Sequence, residues 1–206
     1  MNCKKDEDYE RIKKKIEESN KCLPKFICCP GPKGEPGIPG NMSNTTTCYC
    51  VSQLKKVIEQ LIILYPNKMC KVTTEYGTIL NGKLGSLIPA SNPNLLQLVN
   101  GSGALDEVIS LCKIASIEVN GAQYNETITY LPNPTQSLIG CDTNCYEAFK
   151  NYLPVGTEKV VLKAGSKPIA TGKVLKNVYG MVVIVLANNE NPTFVSLCKV
   201  ESAKIN

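Results

Sequence analysis

The chain repeats itself, and that repeat constrains its fold more than any single motif. Ile109-Ser110-Leu111-Cys112-Lys113-Ile114-Ala115-Ser116-Ile117 returns as Val195-Ser196-Leu197-Cys198-Lys199-Val200-Glu201-Ser202-Ala203. Upstream, in the same order, Asn81-Gly82-Lys83-Leu84 matches Thr171-Gly172-Lys173-Val174, and Tyr76-Gly77 matches Ala164-Gly165. A duplicated stretch must be one supersecondary unit used twice. Each copy opens on a helical pattern. From Ser52, the residues Leu54, Val57, Ile58, Leu61, Ile62 and Tyr65 fall on one face and Pro66 stops it. A shorter helical stretch at 143–153 is ended by Pro154. Behind the first helix come β-like runs at 70–75, 78–87, 95–99 and 108–119, punctuated by Gly77, Gly82, Asn92-Pro93 and Gly101-Ser102-Gly103. Each copy therefore reads as a helix, a proline and about five short strands.

The copies predict a first helix-plus-strand domain at 51–119, a linker at 120–140 and a second domain at 141–206. Ahead of them, 1–27 reads as a charged helix with Tyr9, Ile12 and Ile16 at helical spacing, an apolar stripe one residue wide. Its flanking Cys3 and Cys22 would lie about 28 Å apart in a straight helix, far beyond disulfide reach. The connector at 28–50 opens on Cys28-Cys29-Pro30. It continues through glycine triplets, with Gly31, Gly34, Gly37 and Gly40 at every third position and prolines between them. That period is collagen-like, and so short a run fits either an extended polyproline-II spacer of about 30 Å or a brief three-chain plug.

Composition excludes several function classes. The chain has no His, which removes the commonest general base and metal ligand. It carries no Gly-x-Ser-x-Gly elbow and no phosphate-binding loop. Asp106-Glu107 reads as a hairpin tip and Asn100-Gly101-Ser102-Gly103 as a turn. We expect no enzymatic activity and no cofactor. The net charge of +5 comes from lysines scattered among 18 acids, with Arg11 the single arginine, which disfavours nucleic acid as a partner. No apolar run is long enough to cross a bilayer, and the first residues lack the apolar core of a secretory signal.

Eleven cysteines in such a chain point to an oxidised protein. Their spacing offers no C-x-x-C pair, so zinc, iron–sulfur and dithiol redox chemistry are disfavoured. An odd total leaves at least one thiol free or bonded to another chain. Adjacent Cys28 and Cys29 are better placed to bond two partners than each other. We expect Cys3, Cys22, Cys28, Cys29, Cys48 and Cys50 to staple neighbouring subunits, with Cys70, Cys141 and Cys145 as further disulfide candidates. Cys112 and Cys198, at equivalent places in the repeat, are expected to pack as buried small hydrophobes.

Two resemblances follow from these residues. A helix, five short strands, a Gly-Lys pair after the first turn and a closing Ser-Leu-Cys-Lys strand resemble the small Sm-like or SH3-like barrel, over 66–119 and 155–206. The resemblance implies a mainly β chain with short helices, arranged as tandem closed barrels. Sm proteins that bind RNA carry an Asp-φ-Met-Asn-like stretch after strand two. Here Ile88-Pro89-Ala90-Ser91-Asn92-Pro93 and Asn177-Val178-Tyr179-Gly180 stand in its place, so RNA binding is not implied. The Cys-Cys pair, the collagen-like stretch and the cysteine-bearing β domains together resemble endospore coat, exosporium and appendage proteins. That resemblance implies a structural subunit made in the mother-cell cytoplasm and polymerised on the spore surface, with itself or other surface proteins as partners. The rival readings are a tandem Sm-like module binding RNA or another ligand and oligomerised by its arm, a closed trimer joined through the collagen-like plug, and a metalloprotein.

Overall fold

The computed structural model describes residues 46–134 and 141–206, apart from the side chains of 46–48 and 141–144. The charged N-terminal helix, the glycine triplets at Gly31, Gly34, Gly37 and Gly40, and Cys3, Cys22, Cys28 and Cys29 lie outside the described residues.

Apolar residues at helical spacing make helix α1, Thr46–Leu64, which begins six residues before the stretch legible from Ser52. Leu54, Val57, Ile58 and Leu61 are no more than 1 % exposed. Each such side chain contributes about 2 kcal/mol by leaving water. Pro66 follows at once and cannot continue the helical hydrogen bonding. Strands β1 (Cys70–Thr74), β2 (Ile79–Ile88), β3 (Leu95–Val99), β4 (Leu105–Ser110) and β5 (Ile114–Val119) complete the first copy. A 3-10 turn at Leu111–Lys113 separates the last two strands. The second copy has helix α2 (Cys141–Tyr152) and strands β6 (Val160–Ala164), β7 (Lys167–Val178), β8 (Met181–Val185), β9 (Thr193–Ser196) and β10 (Ser202–Ile205). Its last two strands are likewise separated by a 3-10 turn, Leu197–Lys199.

The duplication is kept to the level of register. Cys70 stands opposite Gly82 in the first copy and Val160 opposite Gly172 in the second. Both glycines face a backbone carbonyl where the long second strand crosses the third. A Cβ would come within 3.1 Å of the Val99 oxygen at Gly82 and 2.2 Å of the Val185 oxygen at Gly172. Tyr76-Gly77 and Ala164-Gly165 are not equivalent, however. In this register Thr74 corresponds to Ala164, and the two dipeptides instead touch, with the Gly165 Cβ position 2.1 Å from the Tyr76 carbonyl carbon.

The chain is mainly β, and the ten strands among the described residues form one antiparallel sheet in the order β10-β6-β7-β8-β9-β5-β1-β2-β3-β4. The expectation of two closed barrels is corrected here. Each copy contributes five strands in the order fifth, first, second, third, fourth, and neither closes on itself. The fifth strand of the first copy, β5, pairs instead with the fourth strand of the second, β9. An edge that closure would have removed is covered by the other copy.

Two apolar cores lie on this sheet. One holds α1 and strands of the first copy, and reaches across to Met181, Val183, Val185 and Phe194. The other gathers Tyr146, Leu153, Leu162, Val174, Val182, Ile184 and Val195. Strand β8 is buried at every residue because its alternate side chains enter the two cores. That accounts for its unbroken run Met-Val-Val-Ile-Val, the pattern of a strand covered on both faces. The described part of the stretch read as a linker, 120–134, packs along α1. Gln60 Nε2 donates to the Thr129 carbonyl at 2.8 Å, and the Leu131 N–H donates to Gln53 Oε1 at 2.8 Å.

Candidate assembly surfaces

The junction between the two copies joins unlike strands of the repeat, the fifth of the first copy and the fourth of the second. Along it, Ser116 stands opposite Val195, Ile117 opposite Phe194 and Glu118 opposite Thr193. The Val119 N–H donates to the Pro192 carbonyl at 3.0 Å. Buried Ser116 donates through Oγ to the Ile169 carbonyl at 3.0 Å, tying β5 to β7 across the sheet face.

At one end of the junction Glu75 accepts hydrogen bonds from both lysines of the repeated Ser-Leu-Cys-Lys, namely Lys113 and Lys199, the latter at 2.6 Å. Burial pushes the Glu75 carboxyl up, but the two ammonium donors outweigh it and hold the group below the usual carboxylate range. The same carboxylate, together with the Tyr76 hydroxyl that accepts a second hydrogen bond from Lys113 at 3.2 Å, holds Lys113 above the ordinary lysine value. One carboxylate thus joins a lysine of each copy. The sequence carried half of this signal, the repeated lysine; Glu75 falls in the second copy at Gly165, so no repeat announces it.

The junction is also covalent. Cys50 on α1 and Cys198 in the second copy's 3-10 turn form a disulfide, with a sequence separation of 148 and a Cα–Cα distance of 6.2 Å. Beside it, the Gly180 Cβ position lies 3.3 Å from the Cys50 Cα, and Tyr49 meets Tyr179 edge-on with ring centroids 4.8 Å apart. Two expectations change with this bond. Cys50 was expected to reach another subunit, and it is engaged within the chain. Cys198 was expected to pack as a buried thiol, and it is half-exposed and oxidised. Its repeat counterpart Cys112 is half-exposed as well.

The remaining cysteines separate by environment. Cys70 is buried in the first core with its thiol pushed up to about 12 by desolvation, so at neutral pH it is an inert hydrophobe rather than a cross-linker. Cys145 is an exposed free thiol on α2. The side chains of Cys48 and Cys141 are not among those described.

Both ends of the sheet are open. Strand β4 carries Leu105, Asp106, Glu107 and Val108, all exposed, at one end. Asp106-Glu107 therefore lies in an edge strand and not at a hairpin tip. The β3–β4 register shifts between Leu98 and Val99, which leaves Asp106 as the extra residue of a bulge in β4. Strand β10, with exposed Ser202, Lys204 and Ile205, forms the other end. An open groove of about 630 Å³, lined by Lys159, Lys173, Asn188 and Asn189 among others, runs beside the β8–β9 connection. Among the described residues no helix is long and apolar enough to cross a membrane, and no three acidic or cysteine side chains group as a metal site. Compared with known proteins, the chain matches no family model, no curated protein and no solved structure.

Proposed function

We propose that this chain is a non-enzymatic structural subunit that self-assembles into a disulfide-cross-linked fibre, ribbon or layer on the surface of a bacterial spore, its N-terminal arm stapling neighbouring subunits. The observation that carries the reading is the junction between the two copies, where edge strands pair and a disulfide locks the pair. A chain that joins its own halves by β5–β9 pairing and by Cys50–Cys198 uses the two devices needed to join separate subunits. The intrachain disulfide supports an oxidising setting, and exposed Cys145 and the cysteines of the arm supply bonding capacity beyond it. Linking subunits covalently suits a structure that must outlast the cell that made it. The spore surface rests on the cysteine-rich, collagen-like arm.

The finer fold reading belongs to the same proposal. Each copy's strand order, with a 3-10 turn before its last strand, supports descent from a small Sm-like unit opened along one edge. Self-association replaces the closure that such a unit would otherwise use.

The test is a gel of air-oxidised protein boiled in detergent without reductant, run beside a reduced lane and a Cys28→Ser/Cys29→Ser lane. We expect a ladder, or material too large to enter, that collapses to the 22.4 kDa monomer on reduction and in the double variant. A monomer band in all three lanes would remove the staple from the proposal.

A further inference from the structure

We infer that a second copy of this chain adds to the sheet head to tail, its β4 pairing with β10, so that the contact between molecules repeats the β5–β9 contact within each one. The inference rests on the self-assembly reading and supplies its interface.

The repeat makes the two open edges counterparts of the two joined ones. Ser110 and Ser196 are matched in sequence and stand opposite Leu95 and Met181, so β4 corresponds to β9 and β3 to β8. Likewise Ser116-Ile117-Glu118 of β5 corresponds to Ser202-Ala203-Lys204 of β10. Carrying the internal register across gives three pairs between molecules: Ser202 with Ile109, Ala203 with Val108, and Lys204 with Glu107. The last pair sets a lysine against a glutamate, and Asp106 lies beside it, so the edges are complementary in charge.

The backbone groups face the right way. The Asn206 N–H donates inward to Lys159, which by alternation turns the N–H groups of Ala203 and Ile205 toward the open side of β10. The Leu111 N–H donates to Asn94, which turns the N–H of Val108 toward the open side of β4. Ala203 and Val108 would therefore form a hydrogen-bonded pair, as Ile117 and Phe194 do within the chain.

Burial points to the same occupant. In the second copy Met181, Val183, Val185 and Phe194 are covered by the first copy's core and are no more than 1 % exposed. Their counterparts are Leu95, Gln97, Val99 and Val108. The three on β3 are half-buried, and Val108 is 40 % exposed. The face that one copy covers is left uncovered at the first copy's outer end. Leu105 on β4 and Ile205 on β10, 58 % and 40 % exposed, border the same two edges. A row of unpaired backbone groups flanked by apolar side chains is a template for strand addition. A contact between unlike edges propagates as a ring or an open filament and does not stop at a dimer.

The experiment follows solution mass by sedimentation across a dilution series, in the Cys28→Ser/Cys29→Ser chain, so that edge pairing is read separately from the covalent ladder. We expect concentration-dependent oligomers. Val108→Pro removes an outward N–H while sparing the inner ladder, and should raise the half-assembly concentration about tenfold or more. Lys204→Glu and Glu107→Lys should each raise it roughly threefold, and the two together in one chain should restore it, because each molecule's Lys204 meets its neighbour's Glu107. Far-ultraviolet circular dichroism checks that each variant folds. A chain that stays monomeric throughout, or oligomers indifferent to Val108→Pro and to the charge reversals, would overturn the proposal. A covalent ladder with indifferent edges would retain the staple and reject the interface. Edge-dependent oligomers without a ladder would do the reverse.

Discussion

Glu75 shows how a single residue joins the two copies. Its carboxylate receives Lys113 and Lys199, and Lys199, 13 % exposed at its side chain, has little water to fall back on. Replacing Glu75 with Gln should cost about 2 kcal/mol at pH 7, chiefly because Lys199 would be left nearly buried without its counter-charge. Because the folded-state pKa lies below the unfolded value of about 4.3, the contribution is fully present above that value. It is lost as the pH falls through the folded one. Urea unfolding of both proteins at pH 7 and at pH 3 should therefore show a gap that shrinks on acidification. A gap of equal size at both values would mean that shape, not charge, is what Glu75 supplies. The sequence marked the lysines by repetition, but left Glu75 one acid among many.

At the scale of elements, the period of the apolar residues predicted what forms, and contacts between elements decided how far each extends. Helix α1 starts six residues before the stretch legible from Ser52, and within that extension Cys50 is buried and bonded to Cys198 of the second copy. Nothing in the local apolar pattern advertises that. The run Met181–Val185 does not by itself announce a doubly covered strand, since a short apolar run looks the same whichever element buries it. The β1–β2 and β6–β7 turns meet so closely that Gly165, at φ +54°, leaves no room for a side chain. Gly165→Ala should destabilise by about 3 kcal/mol, from overpacking and left-handed backbone together. Gly101→Ala, whose Cβ would meet nothing within 4 Å, should change stability by less than about 0.5 kcal/mol. Denaturant midpoints of the two variants check both values, and similar midpoints would show that the turns can separate without loss.

For the whole molecule, the disulfide between Cys50 and Cys198 closes a loop of 148 residues around both cores. Cross-linking so long a loop restricts the unfolded chain, and its removal in Cys50→Ser/Cys198→Ser should cost about 2–5 kcal/mol. Calorimetry should show a lower transition temperature and, if the halves now melt separately, a broadened transition. An unchanged transition would mean that the β5–β9 pairing alone holds the copies together. In the proposed assembly the same junction would extend outward, from β10 to the next molecule's β4.

The sequence by itself determined that the chain is mainly β, that a helix-plus-five-strand unit is used twice, and that the cysteines are concentrated toward the arm. These are local or self-similar properties: residue period selects helix or strand, and repeated residues select the same unit again. Only the tertiary structure decided that neither unit closes, that β5 meets β9, and that Cys50 finds Cys198. Those outcomes join residues far apart in the chain, and they depend on which edge is left unpaired and which apolar face is left uncovered once each unit has formed. A strand's sequence states that it will pair; the shape around it selects the partner.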